Sequence, residues 1–272
     1  MIEPRDIRLS SAWRDLKRER VSLVVLALSA VVLAVVEYYF LAGGFVKLFP
    51  EATKEYAPGV WFGSWARAPE GTTAPWWGVL LPWLWWAGGM LVLWVAVPMG
   101  AAKLLGFRLR DLGLGLRGTA QKLWVYGLLF ALVLPGVWWA STQEGFTNMY
   151  PMLKPQYAQT WCWAVLLCWW GVYAAQFFVI EFFFRGWLLF TLERRFGLAA
   201  IAVMLVPYCM VHFHKPLPEA LGAIGAGAIL GWLALRTRSI WGGWLLHCAV
   251  AISMDALSLL KGDYGLPKQF WP

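Results

Sequence analysis

The chain is short of charge. Of its 272 residues, 14% are Asp, Glu, Lys or Arg, where ordinary soluble domains carry about 25%. It has only three histidines and four cysteines, no CxxC pair and no HExxH motif. No internal repeat and no low-complexity tract is visible. These shortages exclude a soluble domain of this size, a disordered chain, a coiled coil and a disulfide scaffold. Cys162, Cys168, Cys209 and Cys248 all lie in apolar stretches and read as soft packing residues. What fills the space is apolar: 60% hydrophobic residues, 21 tryptophans and a mean hydropathy of +0.59. Tryptophan enriches at membrane–water interfaces. The expected fold is all-α, a polytopic helical bundle in a membrane.

A span needs about 20 apolar residues. Seven stretches qualify or nearly so: 21–45, 76–104, 123–141, 161–190, 198–213, 220–235 and 240–260. The fifth and sixth are short. The first is too long for a cleaved signal peptide and reads as a signal anchor. The net charge of +8 is placed by topology. Arg5, Arg8, Arg14, Lys17, Arg18 and Arg20 precede the first span, and every second connection is basic, ending with Arg194, Arg195, Arg236 and Arg238. That pattern puts the N-terminus in the cytoplasm and the C-terminus outside. The expected location is a bacterial inner membrane. No basic stretch carries the aromatics of a nucleic-acid module, so no nucleic-acid partner is expected. The segment 46–75, with Trp61, Phe62 and Trp65, reads as an external loop on the interface. Residues 107–122 read as a short amphipathic cytoplasmic helix.

Ionisable groups inside spans are costly and mark sites. They are Glu181 and Arg185 in the fourth span, His212 and His214 at the end of the fifth, and His247 and Asp255 in the seventh. Glu37 lies in the outer third of the first. Glu181 and Arg185, four apart, share one helix face. Glu181 lies 15 residues before Phe196 and His212 lies 15 after Gly197. In an antiparallel hairpin both sit about 22 Å from the turn, so a carboxylate and an imidazole share one depth. His247 falls a turn or two off that level. Ala223, Gly227 and Gly231 form a small-residue face for close helix contact. Lys215 reads as an interfacial lysine, or as a holder for a carboxylate terminus or a lipid phosphate. His212 and His214, two apart, point different ways on a helix. The expectation is therefore no metal and no cofactor, with zinc on Glu181 and the histidines as the alternative.

IEFFFRG (180–186), YCMVHFHKP (208–216) and LRTRSIWGGWLLH (235–247) resemble the three blocks of the CPBP intramembrane proteases. This family holds the CAAX prenyl endopeptidase and the bacterial Abi-type proteins. The HFxKP version, His212 to Pro216, resembles the myxosortase-like branch. The resemblance implies a single integral membrane domain over 1–272. It has a basic N-terminus at 1–20, accessory spans and an external loop at 21–158, and a catalytic core at 160–260. It implies an intramembrane endopeptidase that cuts near the C-terminal region of a membrane-anchored or exported protein. Carried over, Glu181 is the general base, His212 its partner, Arg185 the orienter of the glutamate and His247 the oxyanion stabiliser, with Asp255, His214 and Lys215 in supporting places. Two positions depart from the pattern. Ile180 stands where the first of two glutamates is usual, and Ala251 where an asparagine is usual. These favour an alternative reading, an inactive family member acting in immunity or assembly; a third is a small ion- or proton-linked transporter with Glu181 and the histidines as a relay.

Overall fold

The computed structural model describes residues 9–50, 73–213, 215, 217–263 and 265–272. Much of the external segment, with Trp61, Phe62 and Trp65, and also His214, lies outside the described residues. Among these residues there is no strand, and only two isolated bridges, Ala74 to Ala158 and Leu114 to Ser239, interrupt the helices. Among the described residues six helices are long and apolar enough to cross a membrane: Leu16–Phe40, Gly78–Leu104, Leu123–Ala140, Trp163–Phe196, Leu217–Thr237 and Trp241–Lys261. The chain is an integral membrane protein with a helical bundle fold.

In chain order the helices that matter below are α1 (Leu9–Val35), α2 (Ala42–Leu48), α3 (Leu81–Leu91), α4 (Val97–Leu104), α5 (Arg117–Gln121), α6 (Leu123–Ala140), α7 (Glu144–Met149), α8 (Trp163–Glu181), α9 (Phe190–Phe196), α10 (Ala199–Met210), α11 (Leu217–Thr237) and α12 (Trp241–Lys261). A π-helical turn at Val36–Phe40 follows α1, and another at Val92–Ala96 joins α3 to α4. A longer one, Phe182–Leu189, joins α8 to α9 and makes a single continuous span. Its place is the middle of the molecule, and all eight of its residues are buried. A π turn is wider than an α turn and often marks a functional site. Here it carries three consecutive phenylalanines and Arg185 into the interior. Trp94 stacks on Phe183 and stands edge-on to Phe184. Trp187 donates to the Ser29 hydroxyl of α1 at 2.9 Å.

Around this segment α1 packs on α9, α3 lies along α8, α10 lies along α11, and α12 packs against both α6 and α8. The expected small-residue face on α11 does this packing. A Cβ on Gly227 would come within 2.6 Å of Leu205 and 2.8 Å of the Tyr208 ring, and one on Gly231 within 3.2 Å of Met204. Two expectations change. Residues 107–122 form no single helix. A 3-10 turn at Leu109–Leu112 is followed by the separate short α5. Gly113, at φ 77°, takes the left-handed conformation between them, where a side chain would strike Phe190. The fifth span is also shorter than 198–213, since α10 ends at Met210. Twelve residues rise about 18 Å, short of the about 30 Å hydrocarbon core. Val211, His212 and Phe213 beyond its end are irregular backbone, and they border a cavity. Such backbone is tolerated where it lines a cavity.

Gly227→Leu is expected to cost about 1–3 kcal/mol through overpacking, read as a lowered Tm in detergent. Gly222→Leu, where a Cβ meets nothing within 4 Å, is expected to leave Tm unchanged.

Candidate active site

Glu181 ends α8, and its side chain is 1% exposed. A charge at that depth needs a partner, because its desolvation is uncompensated otherwise. Arg185, fully buried one turn on, supplies it, with Nη1 donating to Glu181 Oε1 at 2.9 Å. The remaining Arg185 nitrogens, Nε and Nη2, have no hydrogen-bond partner among the described residues. Instead the face of Tyr208 covers the guanidinium, 4.3 Å from ring centroid to carbon, an arrangement worth most when water is excluded.

His247 completes the carboxylate's surroundings. Its Nδ1 lies 2.7 Å from Glu181 Oε1. The contact is close but not aligned as a linear hydrogen bond. Residue 243 makes it possible. A Cβ on Gly243 would fall 2.3 Å from Glu181 Oε2, so only glycine lets α12 lie against the carboxylate. Phe177 stacks on the His247 ring at 5.3 Å and fixes its plane. The other ring nitrogen, Nε2, stands 3.1 Å from the Tyr208 hydroxyl.

Tyr208 also reaches His212. Its backbone carbonyl lies 2.9 Å from His212 Nδ1, and the two rings are 5.0 Å apart. A carbonyl only accepts, so His212 carries its proton on Nδ1 and presents a bare Nε2. Glu181 and His212 are joined through Tyr208 and His247 rather than facing each other. His247, expected off level, is in direct contact with Glu181.

Beside these residues lies a cavity of about 760 Å³. Tyr208, His212 and His247 border it, as do Ile180, Gln176 and Ala251. Glu181 does not. Most of the wall is apolar, with α1 on one side and α8, α10 and α12 on the others. Methionines 90, 149, 152, 210 and 254 contribute to it, and such side chains adapt to varied shapes. Glu37 of the first span is also on the wall.

Lys215 and Glu219 mark one end of the cavity. Lys215 Nζ donates to the Tyr150 hydroxyl at 2.8 Å and lies 3.4 Å from Glu219. Tyr150 in turn lies 3.1 Å from a Glu219 oxygen. Burial, reinforced by Glu219, pushes the Tyr150 phenol well above its ordinary pKa. It therefore stays protonated and donates. Asp255 is not brought to His247. It is fully buried and accepts from the Met152 amide at 3.1 Å and the Trp169 indole at 2.7 Å. Its work is to pin the segment that carries Tyr150, with Ser258 donating to the Tyr150 carbonyl at 2.6 Å.

Among the described residues no group of three or more His, Cys, Asp or Glu side chains converges as a metal site requires. The donors nearest to one, Glu181 and His247, face each other, and His212 stands on the far side of Tyr208. All four cysteines are free. Tyr208 and Gly243 escaped the sequence reading. Tyr208 lies four residues before His212, in the last turn of α10, and its partners rather than its residue type mark it.

Residues 161–253, about a third of the chain, match a family model described as "Rce1-like: Type II CAAX prenyl endopeptidase Rce1-like". The match spans α8 through most of α12 and includes Glu181, Arg185, Tyr208, His212 and His247. No curated protein and no solved structure matches the chain.

Removing one member of the buried pair strands the other. Arg185→Met is expected to cost about 3–5 kcal/mol, seen as a large fall in Tm. Glu181→Gln combined with Arg185→Met is expected to recover a substantial part of that loss, which a double-mutant cycle in detergent measures.

Proposed function

We propose that this protein is an intramembrane endopeptidase that hydrolyses a peptide bond near the C-terminal region of a membrane-anchored or exported protein. The observation that carries the reading is the string His247–Tyr208–His212 along one wall of a cavity between the spans, with Glu181 behind His247. It lies within the segment similar to a protease family. The likeness covers a family of prenyl-protein endopeptidases, and the HFxKP sequence at 212–216 adds the resemblance to the myxosortase-like branch.

The roles follow from where protons can go. His212 holds its proton toward the Tyr208 carbonyl, so Nε2 is free to take one from a water in the cavity. We assign the base to His212 rather than to Glu181, because Glu181 is sealed from the cavity and committed to Arg185 and His247. The hydroxide formed attacks the carbonyl carbon of the peptide. The resulting oxyanion develops on the side of His247. Glu181, whose Oε1 lies 2.7 Å from Nδ1, holds that imidazole in place from behind, as a carboxylate does behind a catalytic histidine. On collapse of the tetrahedral intermediate, the His212 imidazolium returns its proton to the leaving nitrogen. No step calls for a metal.

The proposed orientation, N-terminus in the cytoplasm, puts the arginine-rich ends of α9 and α11 inside. The Lys215 end of the cavity then faces the outer half of the membrane. A substrate that has been exported meets the cavity from that side.

One observation favours a second reading. Ile180, not a glutamate, borders the cavity where the family's first glutamate falls in the resemblance. An inactive relative would use the cavity to hold a partner protein.

Terminal-peptide mass spectrometry of membrane proteins separates these readings. With wild-type protein, new C-terminal peptides are expected. His212→Ala is expected to reduce them by about 10²–10⁴-fold, and Glu181→Gln to reduce them also. New termini that persist with His212→Ala overturn the mechanism. Equal sets of termini with and without the protein support the partner-holding reading.

A further inference from the structure

We infer that the Tyr208 hydroxyl is the oxyanion donor of this site, and so a catalytic residue in its own right. The inference rests on the endopeptidase reading and deepens it.

Ala251 stands where the family resemblance expects an asparagine, and its methyl offers no donor. Ala251 and Tyr208 both border the cavity. Asp255, the nearest acid along α12, is spent on Met152 and Trp169. The wall beside His247 therefore needs another donor if a negative oxygen is to form there. Tyr208 is the group in place. Its hydroxyl lies 3.1 Å from His247 Nε2, its ring is pressed on the Arg185 guanidinium at 4.3 Å, and Phe184 stands edge-on at 5.1 Å. Gly227 passes so close to the ring that a Cβ there would strike it. The phenol is thus held from three sides, in a residue that borders the cavity. A donor aimed in advance at developing charge, in surroundings that exclude water, is the most effective kind.

The chemistry balances without a change in the charge of Tyr208. As His212 takes the proton of water, the phenolic O–H turns from His247 Nε2 to the new oxyanion. The imidazole of His247, held by Glu181, stays within 3.1 Å of the phenol oxygen in the resting geometry and balances it from behind. When the C–N bond breaks, the carbonyl re-forms and the O–H returns to Nε2. Tyr208 neither gains nor loses a proton. The ion pair and His247 act through it, which makes Glu181 and Arg185 positioning residues.

The test uses full-length protein in liposomes. The probe is a fluorescent peptide spanning a cleavage position found by the terminal-peptide comparison. Tyr208→Phe keeps the ring on Arg185 and against Gly227, so Tm is expected to hold. Its kcat is expected to fall about 10²–10³-fold, with KM little changed. Ala251→Asn placed in that variant supplies a donor one helical turn beyond His247 and is expected to restore part of kcat. A purely structural tyrosine would raise KM or lower Tm, and asparagine at 251 would not rescue it. Wild-type kcat in Tyr208→Phe, while His212→Ala is inactive, overturns this inference and leaves the endopeptidase reading intact. Should the terminal-peptide comparison give no cleavage position, both fall together.

Discussion

A carboxylate and a guanidinium locked together in a dry interior set the terms for everything around them. Glu181 and Arg185 are buried to 1% and 0%, at a depth where neither water nor lipid can solvate them. Removing either partner leaves a stranded charge, and such penalties are far larger than the net worth of the pair. The neighbouring structure meets this constraint at several points. Gly243 gives the carboxylate room against α12, Tyr208 lays its face on the guanidinium, and the phenylalanines of the π turn wall both off. His247 and Tyr208 are held where they are because they serve the pair. The polar wall of the cavity is the outer surface of the same arrangement.

The broken fifth span is the second organising feature. A regular helix through residues 198–213 would have satisfied its own backbone and turned His212 onto a helix face. Ending α10 at Met210 places His212 and Lys215 on a turn instead, with the Lys215 amide donating to the His212 carbonyl at 3.0 Å. That turn closes one end of the cavity. Asp255 and Ser258 of α12 steady the facing segment through Met152 and Tyr150. Two irregular stretches, both costly in lipid, thus meet over one cavity.

The sequence made the membrane class plain because 14% charge leaves few places for charge to hide. Span positions followed from apolar runs, and the structure moves most of their ends by a few residues. Glu181, Arg185, His212 and His247 were visible because ionisable groups inside spans are rare. Asp255 was visible for the same reason, yet the structure gives it a pinning role, since a rare charge marks a costly place without saying what holds it. Tyr208 stayed hidden because tyrosine is common in membrane helices, and only its three partners single it out. Depth arithmetic left His247 a turn or two from Glu181, within the error of the span ends, and the direct contact depends on Gly243, which such arithmetic does not see. The broken helix at 107–122 was missed because an alternating pattern of Arg and Leu says nothing about a left-handed Gly113.

The π turn at 182–189 also fixes how this segment tolerates change in length. A π turn is equivalent to an α-helix carrying an extra residue in its register. Losing one residue there would let the span relax into ordinary α-helix. Residues on either side of the loss would keep the faces they hold now, because the wide turn is what absorbs the extra residue. A residue lost between Glu181 and Arg185 would leave them three apart, still on one helix face. A residue lost from the regular helix of α8 would instead swing everything after it about 100° around the axis, and Trp187 would leave Ser29. The segment is thus forgiving of a lost residue in its wide turn and unforgiving in the regular helix before it.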